Sequence, residues 1–180
     1  MSDVLHADGE VIDKQTVRFQ RLLPGPIERV WAYLTEADKR ARWFASGAME
    51  LHEGGAASLF FQHKNLMQPG ETAPENYKQA VEGFSFETRV TRCEPPRVLA
   101  FLFGEGEDGS EVVFELEPRG DRVLLTLTHR RLPSREEMRN VSGGWHLHLT
   151  MLQHLLEGTE PPRFWDTHAA LEEKYQKLIP

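Results

Sequence analysis

A single cysteine, Cys93, is all the thiol chemistry in 180 residues, so no internal disulfide can form. Its solitude points to a reducing, cytoplasmic setting. Positive charge is also scarce: 21 Lys and Arg face 28 Asp and Glu, a formal net charge of −7. Nucleic acids and anionic membranes are bound through basic patches that displace counterions. The pairs Arg40/Arg42 and Arg130/Arg131 are too isolated to form one, so neither partner is expected. No apolar run is long enough to span a bilayer. Met1 to Gln15 has neither a basic n-region nor an apolar h-region, so nothing there reads as a secretory signal. The glycosylation acceptor Asn140-Val141-Ser142 is then accidental.

What is present is an ordinary globular composition, 39% hydrophobic and 27% charged. A chain of this length forms one domain, 1–180, and buries roughly 70% of its unfolded surface. Residues 13 to 23 read as a first strand, stopped by Pro24-Gly25-Pro26. Ile27, Val30, Trp31 and Leu34 then fall at helical spacing, and a second short helix near Ala37 to Arg42 delivers Trp43 and Phe44.

From residue 48 to 131 the period changes to two. Gly54-Gly55 predicts a hairpin between strands near Met49–Leu51 and Ala57–His63. Further strands are expected near Phe84–Cys93, Val98–Phe103, Glu111–Glu117 and Arg122–Arg131. Lys64 to Glu82, with Pro69-Gly70 and Pro74, reads as a gate-like loop with a short helix around Glu75–Ala80.

Helical period returns around Trp145, where Leu149, Leu152 and Leu156 share its face and Leu147, His148, Met151 and Leu155 widen it. An apolar arc of about 200° is too wide for a helix on a flat surface. The fold class that follows is α+β, a curved antiparallel sheet wrapped around this long helix, with Gly158 as its cap. Beyond Pro161-Pro162, Phe164, His168, Leu171, Tyr175 and Leu178 form the stripe of a terminal helix, about 163–179.

The segment Pro26-Ile27-Glu28-Arg29-Val30-Trp31-Ala32-Tyr33-Leu34-Thr35 resembles the START-like (SRPBCC) superfamily. So do Trp43-Phe44, the bend Pro95-Pro96-Arg97-Val98-Leu99, the strand Leu125-Thr126-Leu127-Thr128-His129 and the helix opening Gly143-Gly144-Trp145. Within it, the chain is similar to bacterial proteins like the C-terminal domain of the activator of the heat-shock-protein-ninety ATPase, over about residues 15 to 158. The resemblance implies a helix-grip fold with a cavity between sheet and helix, used for lipids, sterols and polyketides. The eukaryotic activator's separate N-terminal chaperone-binding domain has no counterpart in this sequence, and the terminal helix is an addition to the minimal fold.

Gly104-Glu105-Gly106-Glu107-Asp108-Gly109 matches a dinucleotide fingerprint to the letter. That motif works only between a strand and a helix, whose N-terminus attracts pyrophosphate. Here a strand follows and the loop is acidic, so a hairpin is expected and no cofactor. Eight histidines invite a metal reading, yet His146 and His148 point about 200° apart on a helix and cannot chelate one ion. No H-E-x-x-H or C-x-x-C is present, and no metal is expected. Glu111, Glu115 and Glu117 alternate with Val112, Phe114 and Leu116 and read as a solvated face.

His129, on the apolar side of the last strand, and His148, on the apolar arc of the helix, are candidates to orient a ligand or move a proton. The alternative is a pair of interior histidines satisfied by their surroundings. Cavity candidates are Trp43, Phe84, Phe101, Phe103, Phe114, Leu127, His129, Trp145, His148, Leu149 and Leu152. No recognisable catalytic motif appears. Three readings stand: a binding protein for a small apolar molecule, a cyclase or aromatase-like enzyme using a cavity histidine, and a chaperone-associated interaction protein. A homodimer is compatible with each.

Overall fold

Alternation decides the sheet. In the computed structural model, which describes residues 7–104 and 106–180, β2 (Thr16–Pro24) turns Val17, Phe19, Arg21 and Leu23 inward. The strand expected over 13–23 is this one, starting three residues later, and a short strand not expected from the sequence precedes it. β1 (Glu10–Asp13) pairs back on β2, and Asp13 tightens the turn by accepting the Gln15 N–H at 2.8 Å. The helices α1 (Ile27–Thr35) and α2 (Ala37–Arg40) follow.

The remaining strands are β3 (Ala56–Phe61), β4 (Phe84–Glu94), β5 (Val98–Phe103), β6 (Ser110–Arg119) and β7 (Arg122–Arg130). They form a seven-stranded sheet in the order β1-β2-β7-β6-β5-β4-β3, with every neighbouring pair antiparallel. The strand expected near Met49–Leu51 is reduced to an isolated bridge, Met49 to Ala57. The glycine-rich fingerprint joins β5 to β6, with Phe103 opposite Ser110, so it is a hairpin turn as its context requires. Glu105 lies outside the described residues.

The long helix α4 (Arg135–Glu157) begins well before Gly143-Gly144-Trp145. Its N-terminus is set by Ser134, whose Oγ accepts the Glu137 N–H at 3.0 Å, the first half of a capping box. Gly158 ends it in the left-handed conformation at φ 72°. One face of α4 packs on the sheet. The flank carrying His146 is buried as well, between Phe19 of β2 and Tyr175 of α5 (Phe164–Leu178), which packs along α4. His146 Nδ1 meets the Tyr175 hydroxyl at 2.8 Å, and that hydroxyl also accepts the Gly9 N–H. The wide apolar arc on α4 thus reflects enclosure from two sides.

Between β3 and β4 lie 3₁₀ turns at His63–Asn65 and Glu75–Tyr77 and the short helix α3 (Lys78–Glu82). This segment is fastened to α5. Glu71 accepts the backbone N–H of Gln68 (2.6 Å) and of Trp165 (2.9 Å), capping α5 from a distant part of the chain. Tyr77 stacks on Trp165 at 5.4 Å. Among the described residues no helix is long and apolar enough to cross a membrane.

Candidate functional site

A break in the sheet creates the site. Main-chain pairing of β4 with β5 runs only from Val90 opposite Phe101 to Glu94 opposite Val98, with a register shift between Val90 and Arg92. The first half of β4 therefore pairs with β3 alone. A bulge bends its strand and re-aims side chains, and here the gap beside β5 is bridged by rings. Phe61 stacks on Phe84 at 5.0 Å and Phe86 at 5.7 Å, and Phe86 meets Phe103 edge-on at 5.5 Å. Between this hairpin and α4 lies an apolar cavity of about 270 Å³. Its walls are Phe44, Phe61, His63, Phe84, Phe86, Phe103, Asn140, Val141, Gly144, Trp145 and His148. Gly144 helps leave this space open, for a Cβ built there meets nothing within 4 Å.

Trp145 forms the floor. Its indole stacks on Phe44 at 4.9 Å and donates its Nε1–H to His129 Nδ1 at 2.9 Å. An acceptor at Nδ1 fixes the neutral tautomer of His129 with its proton on Nε2. That Nε2–H donates to Ser110 Oγ at 2.7 Å, and Ser110 in turn donates to the Phe103 carbonyl at 3.3 Å. Burial pushes the His129 pKa down to about 3. Both ring nitrogens are occupied, so His129 holds Trp145 in place and has no lone pair for a ligand.

His148 is arranged differently. Its Nδ1–H donates to the Trp43 carbonyl at 2.7 Å, which leaves Nε2 as an acceptor. The ring lines the cavity, 5.7 Å from that of His63. Burial, then the neighbouring His63, lowers the His148 pKa to about 3, although the Trp43 bond opposes the shift. Burial and then His168 lower that of His63 to about 4. Both are neutral at pH 7. The cavity can thus accept a hydrogen bond at His148 within an aromatic surround. Among the described residues no group of three or more His, Cys, Asp or Glu is placed to hold a metal ion.

Of the residues expected from sequence, Phe84, Phe103, Trp145 and His148 line the cavity. The other seven lie deeper in filled core. Trp43, Leu127, His129, Leu149 and Leu152 are 0% exposed, Phe101 1% and Phe114 2%, packed together between the sheet and α4. The space is therefore at one end of the grip, displaced from the middle. Phe44, His63, Asn140, Val141 and Gly144 are wall residues that sequence reasoning did not single out as cavity candidates. The aromatic run of β3 and the glycine pair in α4 were the available signals. Glu111, expected on a solvated face, does lie on the outer side of β6 but is only 7% exposed. Arg130 Nε donates to its carboxylate at 2.6 Å and shields it.

The chain is 48% identical to a Bordetella parapertussis protein encoded by gene BPP1335, over 96% of this chain and 91% of that one, with a TM-score of 0.80. CalU16 from Micromonospora echinospora shares the fold at 24% identity and TM-score 0.66, covering 96% and 94% of the two chains. The Aha1 dimer from Colwellia psychrerythraea does so at 17% and 0.58, covering 79% and 96%. No curated protein matches. The family model described as Activator of Hsp90 ATPase homolog 1-like protein matches residues 24–157. That stretch runs from the end of β2 to the last residue of α4, and the chain belongs to this family.

Proposed function

We propose that the protein binds a small apolar or amphipathic molecule in the cavity between the β3–β4 hairpin and α4. The observation that carries this reading is the aromatic lining of that space, with the acceptor at His148 as its polar anchor. Ligand sites pair an apolar surround with a few placed polar groups. A volume of about 270 Å³ suits a ligand portion of one or two fused rings. Native mass spectrometry of protein purified from its own host tests it directly: a retained small molecule, displaced by an apolar fluorophore with one-site stoichiometry, is expected. A fluorophore that binds only unfolded protein, together with an unliganded native mass, would refute the reading. The same spectrum shows whether the chain pairs, as the Colwellia relative does.

A cyclase-like enzyme is the second reading, and the lone pair on His148 Nε2 is what favours it. Proton transfer would fall to His148 or to His63, whose buried Nδ1 has no hydrogen-bond partner, because both nitrogens of His129 are engaged. A His148→Gln variant that keeps ligand affinity but loses turnover would support the enzyme.

A further inference from the structure

Beside the aromatic cavity lies a larger cleft of about 660 Å³, between α4, α5 and the segment before β4. It is polar, walled by Tyr77, Glu136, Arg139, His168, Glu172 and Gln176. The two spaces share a wall, one turn of α4. Asn140 borders both, Gly143 borders the cleft and Gly144 borders the cavity. These three stand at i, i+3 and i+4, so they occupy adjoining positions on the helix surface. Apart from adjacent residues and the helix's own backbone, nothing lies within 4 Å of where a Cβ would stand on either glycine. The divide is therefore bare backbone and one short amide side chain. Two glycines inside a helix cost stability relative to alanine, and here they keep the ridge low on both sides.

We propose that cavity and cleft are the two halves of one ligand site, whose occupant lays an aromatic ring against Trp145 and carries a cationic amine arm over Asn140, Gly143 and Gly144 into the cleft. The proposal rests on the cavity-binding reading and gives it a ligand class. Charge sets the arm's chemistry. Two carboxylates, Glu136 and Glu172, face one guanidinium, and Arg139 already spends an N–H on the Ile179 carbonyl at 3.4 Å. Tyr77 donates its hydroxyl to Glu172 at 3.3 Å, which orients that carboxylate. Burial lowers the His168 pKa, so that imidazole is neutral at pH 7 and adds no positive charge. An amine finds acceptors there, and a carboxylate meets like charge.

Naphthylpropylamine, naphthylpropanol and naphthylpropionate, matched in ring and chain, test this by calorimetric titration of the full chain. The amine should bind about fivefold or more tightly than the acid, the advantage of weak, partly solvated ion pairs, with the alcohol between them. The double variant Glu136→Gln, Glu172→Gln should erase the difference while the alcohol's affinity holds. Gly144→Leu should abolish binding of all three. Equal affinities that Gly144→Leu still abolishes would overturn the two-part site and leave the cavity reading intact. An amine advantage that survives the double variant overturns it too, and failure of all three to bind the native chain overturns both.

Discussion

The indole N–H of Trp145 is spent on His129 Nδ1, 2.9 Å away, and this bond joins the last strand of the sheet to the middle of the helix it grips. Trp145 is 3% exposed and His129 0%. Truncating a buried aromatic of this size costs about 3 to 5 kcal/mol, so Trp145→Ala should lose that much in denaturant melts. Trp145→Phe keeps most of the ring but leaves His129 Nδ1 without its donor. A smaller loss of about 1 to 3 kcal/mol is expected from the unsatisfied acceptor. A loss under about 1 kcal/mol for the alanine variant would mean that the helix is not held through this side chain.

Acid should unfold the protein through its histidines. His129 and His148 have folded pKa values of about 3, below the ordinary 6.5, because burial disfavours the charged ring. The unfolded chain therefore binds more protons between pH 6.5 and 3. Stability is fully present above pH 6.5 and declines as pH falls through that window, by roughly 1.4 kcal/mol per pH unit for each histidine. His129→Leu should lower the slope of stability against pH by about one histidine's share. An unchanged slope would show that His129 is accessible to protons in the native state.

Glu71 gives a second, local dependence. Burial raises its pKa, but the backbone N–H groups of Gln68, Trp165 and Phe164 outweigh that, and the net shift is downward. Its contribution is present at neutral pH and lost as pH falls through the carboxylate range. Glu71→Ala removes the cap of α5 and should cost about 0.5 to 2 kcal/mol. It should also release the segment of residues 64–82, read as faster proteolytic cleavage there than in the wild type. Equal cleavage rates would mean that other contacts, such as Tyr77 on Trp165, suffice to hold it.

The fold was legible because its signals are periodic. Val17 and Phe19 in β2, Val112, Phe114 and Leu116 in β6, and Leu149, Leu152 and Leu156 in α4 all point where their spacing says. Polar inward residues broke the pattern: Arg21 sits on the inner face of β2, its Nη1 donating to the Ala7 and Gln20 carbonyls. The position of the cavity was not legible. Phe101 and Phe103 alternate identically, yet Phe101 pairs across to Val90 while Phe103 lies beyond the end of the β4–β5 pairing. A register shift in the neighbouring strand, β4, decides which of them lines open space. Nothing in the local sequence of β5 encodes it.

That difference makes Phe101 and Gly144 the informative pair of substitutions. Phe101→Trp puts extra volume into filled core, away from the cavity wall. Overpacking should cost about 1 to 3 kcal/mol of stability, with probe affinity in the remaining folded protein changed little. Gly144→Ala has the opposite profile. Its new methyl meets no neighbour within 4 Å, and replacing a helical glycine should stabilise by about 0.5 to 1 kcal/mol. The methyl also protrudes toward the cavity, so an apolar fluorophore should bind more weakly even as the melting temperature rises. Gly144→Leu should extend the binding loss to near completion. Stability and affinity moving in opposite directions at one position separates a ligand site from ordinary core, where filling space without strain leaves nothing else to lose. If Gly144→Leu binds the fluorophore as the wild type does while Phe101→Trp does not, the site belongs in the middle of the grip after all.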